Sequence, residues 1–249
     1  MSLMSWLPLA FKDLLQHVPT LLFEVVSWTS LSRDATVLSK RLLTGTGADL
    51  ARQKLTPALP EGVVFTTHTA DLPHTAQARH LVGEKILELY FRQIARPGPM
   101  FLDLRLAGFG VHENLIQWNP TSLWAEFSED FVAGLSDLYA GFYGLDDELF
   151  QRGLLKSGLT QSHWSDKDKA HMAQLFRAHF GTALDTPMAF NLEAFQKSFQ
   201  TVFAFLLEKK VKLTTDFLLL GVMLVTLYLS LEEIGGEFAV AEIYHRAQR

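Results

Sequence analysis

The chain has 249 residues, 48% hydrophobic and 20% charged, which is length and apolar content enough to bury a substantial core and excludes a disordered segment. A formal charge of −5 removes the basic face on which general nucleic-acid binding depends. There is no cysteine, so disulfides, thiolate metal sites and a cysteine nucleophile are excluded, and a reducing cytoplasm is the expected compartment.

Residues 1–28 are apolar but carry Lys12, Asp13, Gln16, His17 and Glu24 and are interrupted by Pro8 and Pro19. That pattern lacks the features of a signal peptide and predicts two short amphipathic helices, with peripheral membrane contact as an alternative use of their apolar faces. Ser32 to Leu43 reads as a helix ending at Gly45 and Gly47, and Ala48 to Leu55 as a short one stopped by Pro57. The β-branched run Val63 to Thr67 predicts a strand. From Thr75 to Ala95 apolar residues recur at three- and four-residue spacing, a long core helix broken by Pro97 and Pro99.

Met100 to Leu104 and Glu113 to Trp118 then fit two short strands, read together as a hairpin with one acid and one base bracketed by apolar residues. Asn119 and Pro120 predict the cap and first turn of a helix running to about Tyr143. Helices follow from Asp146 to Lys156, from Ser165 to Phe180 behind a Ser165/Asp168 capping box, and from Asn191 to about Lys210. Thr214 to Glu233 and Glu237 to Arg246 complete the chain. Phe217 to Leu231 is its most apolar stretch, 15 residues, shorter than the roughly 20 of a spanning helix, and predicts a buried core helix. The expectation is one domain over 1–249, mainly α with a small β element.

Several segments resemble a known family. Arg92-Gln93-Ile94, Phe101-x-Asp103, Leu135-x-x-Leu138-Tyr139 and Leu149-x-x-x-x-Leu154-x-x-x-Gly158-Leu159, in that order, are similar to the C-terminal lobe of the AarF/UbiB atypical kinase family across residues 63–240. In that family a catalytic loop His-Ala-Asp-Pro-His-Pro-Gly-Asn precedes a metal-binding Asp-Phe-Gly. The resemblance places Asp103 at the catalytic aspartate, with Arg105 replacing a histidine and Gly108 falling where the metal-binding asparagine belongs. Asn119 replaces the second motif's aspartate, and the glycine-rich, lysine-bearing N-lobe is missing. Phosphoryl transfer relies on magnesium held by such oxygens, so the resemblance implies a pseudokinase-like binding or scaffolding protein. Its catalytic candidate is Asp103, and its cofactor-binding candidates are Arg105, His112 and Asn119. A residual ATP- and magnesium-dependent phosphotransferase is the first alternative.

Other readings stand beside it. Asp103 and Arg105, two apart on one strand face, form a local ion pair in the plain structural reading, and His112 sits exposed in a hairpin turn. Asp168-x-x-His171 and Glu242-x-x-His245 have the acid–imidazole spacing of iron-binding helical bundles, with Glu84, Glu88, Glu208, Glu232 or Glu233 as further ligands. The aromatic series Trp118, Trp124, Phe127, Phe131, Tyr139, Phe142 and Tyr143, with the stripe Phe195, Phe199 and Phe203, reads as core packing or as the wall of a cavity for a lipid or quinone-like molecule. The partner expected is therefore a protein or a lipid-like small molecule at an apolar groove, or a second copy burying surplus apolar surface.

Overall fold

A computed structural model describes residues 13–26, 36–41, 43–68, 71–181, 183–184 and 186–249. The predicted helices within residues 1–28 and Ser32 to Leu43 therefore lie partly outside the described residues. Within them, α1 is the single turn Leu22–Val25, and residues 36–41 are helical. The architecture is mainly α with a small β element. In chain order it runs α2 (Ala48–Leu55), β1 (Val63–Phe65), α3 (Ala76–Ile94), β2 (Pro99–Phe101), β3 (Phe109–His112), β4 (Leu115–Trp118) and β5 (Trp124–Glu126). Six helices follow: α4 (Glu129–Tyr143), α5 (Asp147–Lys156), α6 (Asp166–Phe180), α7 (Leu192–Glu208), α8 (Thr215–Ile234) and α9 (Val240–Ala247).

The helix starts follow their capping chemistry. Thr75 accepts the Ala78 amide at 3.3 Å, Asp146 that of Leu149 at 2.9 Å, Ser165 that of Asp168 at 3.2 Å and Asn191 that of Ala194 at 2.8 Å. Each satisfies an amide that the first turn leaves without an intrahelical acceptor.

The strands depart from expectation. Met100 to Leu104 and Glu113 to Trp118 do not form a hairpin with each other. Instead β2 pairs antiparallel with β5, while β4 lies between β1, to which it is parallel, and β3, to which it is antiparallel. The true hairpin is β3–β4, turned by Glu113 and Asn114 at φ 49° and 66°, the left-handed pair that suits the twist of a two-residue connection. The helix predicted from Asn119 and Pro120 is also corrected. Leu102 donates to the Leu123 carbonyl at 2.9 Å and Trp124 pairs with Phe101, so this stretch is drawn into a strand and the helix waits until Glu129, behind Ser128. Arg41 decides part of this, its guanidinium stacked 3.6 Å from the Trp124 ring centroid while donating to the Trp124 carbonyl at 2.9 Å.

β4 shows the alternation of a sheet with one buried face, Ile116 and Trp118 in and Leu115 out. Trp118, wholly buried, is sandwiched between Phe65 at 5.2 Å and Phe109 at 5.6 Å. Behind this sheet the extended segment 102–105 runs against α8. Thr226 donates to the Leu102 carbonyl at 2.8 Å and accepts from the Leu104 amide at 3.0 Å, and Ser230 donates to the Leu104 carbonyl at 2.8 Å. Two hydroxyls from α8 thus satisfy a buried backbone that lies outside the strands. α8 is long and apolar enough to cross a membrane, with mean hydropathy 1.9, but 67% of that stretch is buried inside the fold. It is the central core helix, and α3, α7 and the 102–105 segment pack against it.

Candidate functional site

Asp103 and Arg105 meet as a fork. Arg105 donates from Nε to Asp103 Oδ1 at 2.8 Å and from Nη2 to Oδ2 at 2.7 Å, and its backbone amide reaches Oδ1 at 3.2 Å. Thr121 adds a hydroxyl to Oδ2 at 3.2 Å, so the buried carboxylate is fully occupied by its neighbours. The bond to Asp103 raises the Arg105 guanidinium above its ordinary range against the opposing effect of burial.

Asn119 is held elsewhere. Its amide donates to the Thr67 carbonyl at 3.1 Å, and Arg52 donates to its Oδ1 at 3.4 Å. His112 lies exposed at the far end of β3. The Asn119 amide meets the strand at Gly108, four residues or about 13 Å from His112. The structure thus joins Asp103 to Arg105, while Asn119 is bonded to a separate set of partners and His112 lies at the far end of β3. As placed, these oxygens do not fit a magnesium–nucleotide site, because each already accepts hydrogen bonds from protein donors. Among the described residues no three His, Asp or Glu side chains converge as metal ligands. Asp168 is engaged by Lys209 at 2.6 Å and by the Ser165 hydroxyl at 2.8 Å, and His171 packs edge-on against Phe205.

The aromatic series is where polar groups and free space coincide. α3 contributes Tyr90 and Phe91, α4 contributes Tyr139 and Tyr143, α6 contributes His179 and α8 contributes Tyr228, all around a partly enclosed cavity of about 40 Å³. That is room for roughly two or three waters. Its half-buried members His179, Phe180, Met188 and Tyr228 mark the side nearest solvent. Tyr90 and Tyr139 share a hydroxyl–hydroxyl bond of 2.5 Å. The hydroxyls of Tyr143 and Tyr228 have no hydrogen-bond partner among the described residues.

His179 adds the opposite polarity. Its Nδ1 lies 2.8 Å from Ser198 Oγ, which itself lies 2.8 Å from the Phe195 carbonyl. The serine has one hydrogen and a carbonyl can only accept, so both contacts are satisfied when Ser198 donates to Phe195 and His179 donates from Nδ1. Nε2 is then left as the acceptor of this cavity-lining residue. Burial pushes the imidazole down to about 4, so the ring is neutral at neutral pH. Burial raises the phenols in the other direction. Tyr139 is pushed up to about 12 despite the Tyr90 bond, and Tyr90, Tyr143 and Tyr228 are raised as well, reinforced by their mutual proximity.

No protein-family model and no curated protein matches this chain. The cavity is therefore read from its own chemistry. It is a neutral, aromatic-walled space with two phenol donors and one imidazole acceptor, and no ionised group among its lining residues. Sequence reasoning named Tyr139 and Tyr143 as aromatic wall but missed Tyr90, His179 and Tyr228. The available signal was the polar tip of Tyr228 inside an aliphatic helix and a histidine beside Phe180 on the apolar face of α6.

Proposed function

We propose that the protein is a binding protein for a small neutral molecule with an apolar body and a hydroxyl or carbonyl group, held in the tyrosine-lined cavity. The observation that carries this reading is a pair of phenols, Tyr143 and Tyr228, whose hydroxyls have no hydrogen-bond partner among the described residues and which line the same cavity as His179. Buried polar groups are ordinarily satisfied within the protein, so hydroxyls that remain unpaired at a cavity are suited to a ligand or to the water it displaces. Aromatic walls supply the apolar contact, and the lack of charge selects a neutral guest.

Binding is favoured over catalysis by the titration of the same groups. A general acid or base works best with a pKa near the ambient pH, whereas burial drives His179 well below neutrality and the tyrosines well above it. A cavity of about 40 Å³ is smaller than any ring-bearing guest, so binding requires the half-buried rim to move outward.

The test is calorimetric titration with para-cresol, whose ring and hydroxyl match both features. Saturable binding to the wild-type chain is expected, weakened roughly 2- to 10-fold by each of Tyr143→Phe and Tyr228→Phe, the range of one neutral hydrogen bond. A folded wild-type protein that gives no binding heat and no competition in a fluorescence assay refutes the reading.

A further inference from the structure

A second, smaller cavity lies beside the first along α8. It has a volume of about 10 Å³ and is lined by apolar side chains that include Leu22, Phe203, Phe217 and Leu220. With no polar atom to hold a water, it is a dry void. Protein interiors hold few voids, because each forfeits contact energy, so two that share a wall are unusual.

The partition between them is thin. Leu224 lines both cavities. Phe195 faces the second cavity and meets Tyr228 of the first at 4.4 Å between rings, and Phe199 likewise meets His179 at 4.2 Å. On the far side Gly221 presents no side chain to the second cavity. Its absent Cβ matters, since one built there would stand only 3.2 Å from Leu22.

We propose that the two cavities are the ends of one passage, closed by Leu224, which admits the tail of a neutral amphiphile whose head lies among Tyr143, Tyr228 and His179. The inference rests on the ligand reading above and adds to it the class of ligand. From Tyr228 to Phe217 is 11 residues of α8, about 16 Å, a span that a small ring leaves mostly empty and a medium-length alkyl chain fills. The tail is apolar because the second cavity is. The head is uncharged because no ionised side chain faces the first, where an ionised carboxylate has no counter-charge. Alkylphenols and fatty alcohols have this chemistry, and fatty-acid anions do not. Leu224 can yield by a change of rotamer, which a γ-branched side chain makes at lower cost than a shift of the α8 backbone.

The experiment is calorimetric titration of para-alkylphenols, from methyl through hexyl to dodecyl, into the full chain and into Leu224→Trp. In the wild type each added methylene is expected to tighten binding about 4-fold until the passage is full, after which the gain stops. In Leu224→Trp the ratio of dodecyl to methyl affinity is expected to collapse toward one. If methyl binds and lengthening the tail brings no gain in the wild type, the passage is refuted while the cavity reading stands. If the gain persists in folded Leu224→Trp, the tail lies elsewhere and the passage is again refuted. If no member of the series binds the folded wild type, both readings fall together. Should Leu224→Trp not fold, Leu224→Ala widens the passage and is expected to raise the same ratio, and an unchanged ratio there overturns the proposal.

Discussion

His179 ties the stability of the fold to pH through one ring. An unfolded imidazole takes up its proton near 6.5, whereas burial delays protonation in the folded chain to about 4. Between those values the unfolded state binds more protons, so stability is complete above about 6.5 and declines as pH falls toward 4. The decline from this group approaches about 1.4 kcal/mol per pH unit, and His179→Gln is expected to remove it. Urea midpoints of the two proteins between pH 7 and pH 4 check this, because the difference cancels the other titrating groups. Asp103 is the second residue with a definite expectation. Asp103→Asn turns a carboxylate that receives the Arg105 fork into an amide with one acceptor oxygen and a donor facing a cation. With Arg105 itself partly solvated, a loss of about 1–3 kcal/mol is expected, read as a lower urea midpoint at constant slope. The Asp103–Arg105 pair was legible in the sequence because its partners are two residues apart. The cavity acceptor was not, because His179 acquires its tautomer from Ser198, 19 residues away on another helix.

At the scale of elements, the closest helix pair is α4 and α5. A Cβ at Gly141 would run into the backbone of Phe150, one at Gly153 into that of Leu138, and one at Gly134 would stand 2.6 Å from the Ser157 nitrogen. These glycines let the two backbones touch, at the roughly 1 kcal/mol that a mid-helix glycine costs relative to alanine. Gly141→Ala and Gly153→Ala are therefore expected to destabilise by about 3 kcal/mol each, even though alanine is the better helix former, and thermal melts decide the sign. Propensity alone predicts the opposite. The helices themselves were readable from periodicity and caps, as with Thr75 before α3, Asp146 before α5 and Asn191 before α7. The sheet was not. β3 and β5 are a four-residue and a three-residue strand, too short to carry a period, and β5 exists only because the distant β2 offers its backbone groups. Asn119-Pro120 had sound helix-start chemistry, and the pairing of Trp124 with Phe101 overrode it.

For the molecule as a whole, closure depends on an ion cluster between α3 and the last helix, α9. Glu88 is almost wholly buried on α3 and receives Lys85 at 2.9 Å, Arg92 at 3.0 Å and, from α9, Arg246 at 3.2 Å. Burial would push its carboxyl up, but the Lys85 bond and the three positive charges outweigh that and hold it below its ordinary value. A carboxyl lowered in this way contributes stability that is present above the unfolded value and is lost as pH falls through the folded one, so the cluster weakens in acid. Glu88→Gln leaves three cations facing each other and is expected to cost about 2–4 kcal/mol. Arg246→Ala spares the buried carboxylate its other two partners, and its expected effect is local. Amides of Val240–Ala247 should exchange hydrogen faster while those of α8 keep their protection. Equal acceleration in both helices would mean that α9 opens only with the entire core.

The amino-acid sequence by itself determined a mainly α chain with a small β element, the order and most of the caps of its helices, the core character of α8 and the local pairing of Asp103 with Arg105. Those properties depend on residues within a turn or two of one another, and chain neighbours are always present to one another. Tertiary structure alone decided which strands pair, that Asp103 and Asn119 take separate partners, and that Tyr90, Tyr139, Tyr143, Tyr228 and His179 converge on one space. Those outcomes depend on where helices separated by scores of residues come to rest. Side-chain periodicity states which face of a helix is buried, but not what lies opposite it or whether the fit is complete. The cavity is that incomplete fit, a remainder of packing among five helices, with polar side chains in its lining.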